Sequence, residues 1–222
     1  MSWPARCRGC LGPLDREAQA GLCGRCWSGL VPLPEERCPR CALAHGGPCP
    51  EPVAWSRGDA LWNYHGGRPA LGGLLVPAIK HGELGWKAAL LDRAGRMPLP
   101  AFARGVDLVC CAPTSWLRRW SRGLDLAEEA AAMFARSLGK PYRPLLRKTW
   151  SAQAQAGASE GQRRRLPAAA VAVRGGRRLG GAAVLVVDDV WTTGTTLLRC
   201  AQALRRAGCG ELAVLALFRA MP

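Results

Sequence analysis

Apolar residues recur along this chain in two different periods. Residues 184–187 are four consecutive Val and Leu, a run of strand length that ends in two acids. Similar short apolar runs lie at 106–112, 169–173 and 212–218, and 142–146 reads as a further strand. Helical spacing fills the intervals. Within 124–138, Leu126, Ala130, Met133, Phe134 and Leu138 return every three or four positions and define one inward face. Residues 85–94 and 197–206 also read as helices, and 70–79 as a helix interrupted at Gly72-Gly73. Strands alternating with helices of this length predict an α/β fold with a parallel sheet and flanking helices.

The first 54 residues break the pattern. They are rich in Pro and Gly and show little periodic apolar order, so they cannot bury a core unaided. The chain therefore divides into a small module at 1–54 and an α/β domain at 55–222. Cys7-Arg8-Gly9-Cys10 and Cys23-Gly24-Arg25-Cys26 are two C-x-x-C pairs twelve residues apart. Each pair forms a turn that presents two thiolates to one ion, and two such turns complete a tetrahedral zinc site. Gly9 and Gly24 are expected to supply the backbone freedom of these turns. Cys38 and Cys41 form a third pair, with Cys49 beyond it. A second zinc there requires a fourth ligand, and His45, midway between Cys41 and Cys49, is the nearest. Spacing alone leaves open one ion or two, and sequential or interleaved pairing. Metal would supply much of the folding energy of such a segment. The remaining cysteines, Cys110, Cys111, Cys200 and Cys209, lack metal spacing and read as buried, inert thiols.

Charge narrows the partners. The 222 residues carry a formal net charge of +15. Such a field favours phosphate-rich ligands, nucleic acid among them, although a coding bias toward Arg accounts for part of it. Between 143 and 178 there are nine Arg or Lys against one acid, Glu160. The polar stretch 148–165 inside that region is long for an inert connection and reads as a lid over a diphosphate or a nucleic-acid backbone. The nine tryptophans read either as packing residues or as stacking surfaces for single-stranded nucleic acid. No run approaches the length of a spanning helix. The amino terminus lacks the apolar core of a signal peptide, so a cytoplasmic location is expected.

The richest chemistry follows the run at 184–187. Asp188 and Asp189 end the strand, Thr192-Thr193-Gly194-Thr195-Thr196 follows, and a helix begins. Strand, acid pair, hydroxyl-rich loop and helix N-terminus in that order suit a sugar phosphate. Loop amides and the helix dipole receive the phosphate, and the acids accept hydrogen bonds from vicinal hydroxyls.

This segment resembles the 5-phosphoribosyl-1-diphosphate (PRPP) signature of type I phosphoribosyltransferases. The order of motifs over nearly the whole chain resembles the ComF family, which joins an amino-terminal zinc module to such a domain. After the cysteine pairs come Ile79-Lys80-His81-Gly82, then Ala112-Pro113-Thr114 with Arg118, Arg119 and Arg122-Gly123. Gln155-Ala156-Gly157, Arg163-Arg164-Arg165 and the acid pair complete the order. The resemblance implies that Asp188 and Asp189 hold the ribose 2′ and 3′ hydroxyls and that Thr192 to Thr196 wrap the 5′-phosphate. It further implies that Pro113, Thr114 and Ser115 line the diphosphate, with Arg118 or Arg119 reaching its charge. Mg2+ would be held by the diphosphate and ribose, with Asp188 or Asp189 assisting. The implied activity is Mg2+-dependent phosphoribosyl transfer to a nitrogen nucleophile, with Asp189 the nearest candidate for a general base. A second implied role is handling of single-stranded DNA in natural transformation, together with DNA-uptake proteins. Two departures stand out. The family follows Arg-Gly with Phe-Asn-Gln, whereas this chain has Leu124-Asp125-Leu126. Many relatives close the second cysteine set with C-x-x-C, whereas Cys49 here precedes Pro50-Glu51-Pro52.

Overall fold

The computed structural model describes residues 5–50, 53–67, 70–114, 125–149 and 170–221. Ser115, Arg118, Arg119, Arg122-Gly123, Gln155-Ala156-Gly157, Arg163-Arg164-Arg165 and all of the 148–165 stretch beyond Thr149 lie outside them.

Four strands form the central sheet: β1 (Arg57–Asn63), β2 (Leu108–Cys111), β5 (Val184–Trp191) and β6 (Leu212–Arg219). Their order is β1-β6-β5-β2, and every pairing is parallel. A parallel sheet is buried on both faces, and the period-two pleat of β5 divides its side chains accordingly. Leu185 and Val187 pack with α2 (Leu71–Lys80), α3 (Leu84–Gly95) and α4 (Leu126–Leu138). Val184 and Val186 pack on the other face, against Leu197, Cys200 and Leu204 of α5 (Thr195–Arg206). All eight residues of β6 are buried, as a central strand requires. The expected parallel α/β core is therefore present. An antiparallel ribbon of β3 (Leu146–Lys148) and β4 (Val171–Val173) lies apart from the sheet.

Several elements differ from the sequence expectation for identifiable reasons. The helix at 71–80 runs unbroken through Gly72-Gly73. A Cβ on Gly72 would come within 2.6 Å of the Tyr64 carbonyl oxygen, so this glycine serves close packing rather than a break. Strand β1 carries Arg57 and Asp59, which mask its pattern; Asp59 pairs with Arg37 at 2.8 Å. Strand β2 begins at Leu108 rather than 106. Tyr142 makes only an isolated bridge to Val109, and the strand of that region starts at Leu146. Strand β5 continues through both acids to Trp191, because Asp188 and Trp191 still pair with Ala216 and Arg219. Helix α5 starts at Thr195, two residues earlier than expected.

The amino-terminal segment covers the free edge of β1. Asn63 donates to the Val31 carbonyl and Gly58 to that of Pro39, which removes an exposed ladder edge. Cys7, Cys23, Cys26 and Trp27 share one core with Leu185 and Leu215, while Cys41, Leu43 and Trp55 share the opposite one with Val186 and Leu204. Arg8 forks onto Glu83 at 2.9 and 2.6 Å, and Trp86 Nε1 donates to the Ala20 carbonyl at 2.7 Å. No helix among the described residues is long and apolar enough to cross a membrane.

Candidate functional site

Helices leave β2 and β5 for opposite faces of the sheet, and a crevice opens beyond the carboxyl ends of these neighbouring strands. Open α/β sheets place ligands at such a point. The crevice is a cavity of about 610 Å3 that gathers residues from α2, the ends of β2 and β5, the start of α4 and the turn before α5. Asp188 and Asp189 come from β5, Thr192 and Thr196 from the following turn, and Pro113 and Thr114 from the end of β2. Residues that sequence spacing placed far apart thus line one space.

The turn has the form of an anion cradle. Gly194 has φ +71° and caps α5 from the left-handed region, which glycine enters without steric cost. Thr192 and Thr193 are exposed. The amides of Thr192 through Thr196 donate to no backbone carbonyl among the described residues. Five amides and four hydroxyls at the start of a twelve-residue helix suit a phosphate. Thr193 and Thr195 share a hydroxyl hydrogen bond of 2.9 Å.

The opposite wall holds charge that the sequence reading did not assign. Lys80, at the end of α2, meets Asp189 Oδ2 at 2.6 Å. Asp125 lines the same cavity and accepts the Ala127 amide as the cap of α4. Its position is that of the Asn in the Phe-Asn-Gln pattern, so this departure puts a third carboxyl into the cleft. Burial, with the neighbouring Asp189 charge, raises the pKa of Asp188 well above the ordinary carboxyl range. Burial and Asp189 raise Asp125 as well. Burial opposes the charge of Lys80, but pairing with Asp189, reinforced by Asp188 and Asp125, outweighs it and raises its pKa. The cleft therefore concentrates negative charge, as a site for a cation-bridged phosphate sugar does. Carboxylate oxygens of Asp188 and Asp189 are the hard donors that Mg2+ takes, in small number. The signal for Lys80 in the sequence was the Ile79-Lys80-His81-Gly82 motif, whose place became visible only when α2 packed beside β5.

The cysteines of the amino-terminal segment assemble into two sets. Cys7, Cys10, Cys23 and Cys26 form one, and Cys38, Cys41, His45 and Cys49 the other; within each, all ligand atoms lie within 4.8 Å of one another. The sets use neighbouring pairs in sequence, not interleaved ones. Sulfur separations are 3.5 Å for Cys7–Cys26, 3.7 Å for Cys10–Cys23 and 3.6 Å for Cys38–Cys49. Zinc bonds of about 2.3 Å in a tetrahedron need sulfurs roughly 3.8 Å apart, so the sets suit zinc. His45 turns Nε2 toward Cys41 Sγ at 3.1 Å. The left-handed backbone of the turns falls on Leu11 (φ +61°) and Ala42 (φ +58°), just after Cys10 and Cys41, rather than on Gly9 or Gly24. Burial opposes the Cys7 thiolate, but amide hydrogen bonds from Cys23, Cys10 and Gly9 bring its pKa down to about 6. Cys38 falls to about 6 despite burial, through the amides of Cys41 and Arg40. Burial pushes Cys41 up to about 12.

The other cysteines follow expectation with one exception. Cys110, Cys200 and Cys209 are buried, and burial raises each thiol. Cys111 is only partly buried and shares a 3.3 Å hydrogen bond with the Tyr142 hydroxyl. Burial pushes its pKa up to about 11, which disfavours the thiolate.

Comparison with known proteins adds three findings. Solved structures similar to the chain include glutamine phosphoribosylpyrophosphate amidotransferase from B. subtilis complexed with ADP and GMP, at 22% identity and a TM-score of 0.39. That match covers 61% of this chain and 27% of the amidotransferase chain, so the chain spans about a quarter of the length of that structure. Purine phosphoribosyltransferase from Pyrococcus horikoshii Ot3 matches at 19% identity and TM-score 0.37, over 58% of this chain and 81% of that one. Orotate phosphoribosyltransferase from Aeropyrum pernix matches at 24% and 0.32, over 60% and 58%. No curated protein matches the sequence. The family model of the phosphoribosyl transferase domain matches residues 121–221, the stretch that runs from α4 through the acid pair and its threonine turn to the last strand.

Proposed function

We propose that this protein binds PRPP with Mg2+ in the crevice between β2 and β5 and transfers its phosphoribosyl group to a nitrogen nucleophile, in the manner of the ComF family. The observation that carries the reading is the convergence of Asp188, Asp189, Thr192, Thr196, Pro113 and Thr114 on one cavity. The matched domain model agrees with it.

On this reading the Thr192–Thr196 turn receives the 5′-phosphate through its amides and hydroxyls. Asp188 and Asp189 accept the ribose hydroxyls, and the hydroxyl that reaches Asp189 displaces Lys80 from it. Pro113 and Thr114 flank the diphosphate, together with Ser115 and Arg118 of the expected site. Asp188 or Asp189 would help hold Mg2+, which would supply charge neutralisation to the diphosphate leaving group. The chain's own contribution is position and electrostatic complementarity. The two cysteine sets hold structural zinc.

Titration with PRPP and Mg2+ by calorimetry tests the site. The wild type is expected to bind and the Asp188→Ala/Asp189→Ala variant to lose at least tenfold in affinity. A wild type silent at millimolar PRPP sinks the assignment. Diphosphate release in the presence of a panel of nucleobases then separates a transferase from a binder.

A second reading, single-stranded DNA handling beside DNA-uptake proteins, draws on the net charge of +15. The five described tryptophans, Trp27, Trp55, Trp62, Trp86 and Trp191, are all buried. They pack the core and offer bases no stacking platform, so among the described residues charge is what supports this role.

A further inference from the structure

Arg219 is fully buried at the end of β6, and its guanidinium touches two parts of the molecule far apart in sequence. Nε donates to the Cys41 carbonyl at 3.1 Å. Nη1 donates to the carbonyls of Trp191 at 2.9 Å and Ala220 at 3.0 Å, and also to that of Thr192. Cys41 belongs to the second ligand set; Trp191 and Thr192 open the threonine turn. One rigid planar fork thus joins the two. A second strut runs beside it. Trp55 Nε1 donates to the Arg40 carbonyl at 2.7 Å, and its ring meets Trp191 edge-on at 5.4 Å. The Arg219 guanidinium also stacks over the Trp191 ring at 4.7 Å.

The direction of these bonds matters. In a trans peptide the C=O of one residue and the N–H of the next point in opposite directions. Arg219 draws the Trp191 and Thr192 carbonyls toward the cysteine side. The amides of Thr192 and Thr193 are thereby turned away from it. The buried cation lies at the root of the same turn and adds positive potential there.

We infer that Arg219 is a positioning residue that couples the Cys38–Cys41–His45–Cys49 set to the ligand turn, so that metal held by that set tightens anion binding at Thr192–Thr196. Metal fixes the Cys41 backbone, Cys41 fixes the guanidinium, and the guanidinium fixes the peptide planes of the turn. The fork is what Arg offers and Lys does not. The inference rests on the proposed PRPP reading only for the identity of the ligand.

Hydrogen exchange of segment 188–199, read beside PRPP–Mg2+ calorimetry, tests it in the zinc-loaded full chain. Cys49→Ser, which opens the second set, is expected to speed exchange of that segment at least fivefold and to weaken PRPP at least fivefold, within the usual range of coupling between sites. Cys10→Ser, in the first set, is expected to speed exchange of the segment far less than Cys49→Ser does. Arg219→Met is expected to retain zinc in both sets yet to behave like Cys49→Ser, with Arg219→Lys restoring little. Should Arg219→Met fail to fold, the Cys49→Ser and Cys10→Ser pair decides. Equal exchange in Cys49→Ser and wild type, or equal acceleration by Cys10→Ser, overturns the coupling. A wild type that ignores PRPP while the exchange responds overturns the ligand assignment and leaves the coupling standing.

Discussion

Asp188 and Asp189 are neighbours near the carboxyl end of β5, and their difference in environment comes from the pleat. Asp189 turns toward α2 and meets Lys80. Asp188 turns the other way, and burial next to a like charge holds its carboxyl well above the ordinary range. A carboxyl raised in this way favours the fold while protonated. That contribution is present below the unfolded pKa and lost as pH rises through the folded one. At pH 7, far above the unfolded carboxyl's pKa, that contribution is diminished, and burying Asp188 costs stability. Asp188→Asn is expected to raise the melting temperature at pH 7 by a few degrees, the scale of about 1 kcal/mol in a chain of this size. The gain vanishes in acid, and PRPP affinity drops at least tenfold in the same variant. Scanning calorimetry at pH 4 and pH 7 checks the first effect, and a lower melting temperature at pH 7 refutes it. Such an exchange of stability for function is expected at a binding site.

The turn between β5 and α5 is the element that makes an anion site out of ordinary parts. Its geometry depends on Gly194, whose left-handed backbone lets α5 begin at Thr195 while the amides of Thr195 and Thr196 donate to no backbone carbonyl among the described residues. A side chain in that region costs about 1–2 kcal/mol. Gly194→Ala is expected to lower the melting temperature by about 2–8 °C and to weaken ligand binding by more than the stability loss alone implies. Melting of the variant with and without PRPP separates the two effects. Full stabilisation by PRPP in the variant would show that the turn tolerates the change. This element was legible in the sequence, because a strand, two acids and a threonine-glycine turn are contiguous. Strand β1 was not, since Arg57 and Asp59 break its apolar alternation and only the contact with Arg37 explains the acid. Helix α2 was legible except for Gly72-Gly73, where the nearby Tyr64 backbone explains a glycine that local spacing reads as a break.

At the scale of the whole molecule, the cysteine sets are part of the α/β core. Cys7, Cys23 and Cys26 pack with Leu185 and Leu215, and Cys41 with Val186 and Leu204. Structural zinc contributes on the order of 10 kcal/mol in small domains, more than the margin of many folds. Removing metal with a chelator is therefore expected to abolish the single cooperative unfolding transition of the full chain, followed by near-UV circular dichroism. Survival of the α/β transition at an unchanged temperature would show that the amino-terminal segment is an independent appendage. By itself the sequence determined the chemistry within each segment: the pairing of Cys with Cys at turn spacing, the acids at a strand end, and the helix and strand periods. These depend on neighbours a few residues apart. Only the tertiary structure decided which segments meet. It brought Lys80 and Asp125 to the acid pair, placed His45 beside Cys41, and stretched Arg219 from the Cys41 carbonyl to the threonine turn. No local period encodes a contact across 178 residues; it arises from burying both faces of one sheet, which carries the buried charged end of an inner strand to backbone carbonyls of both segments.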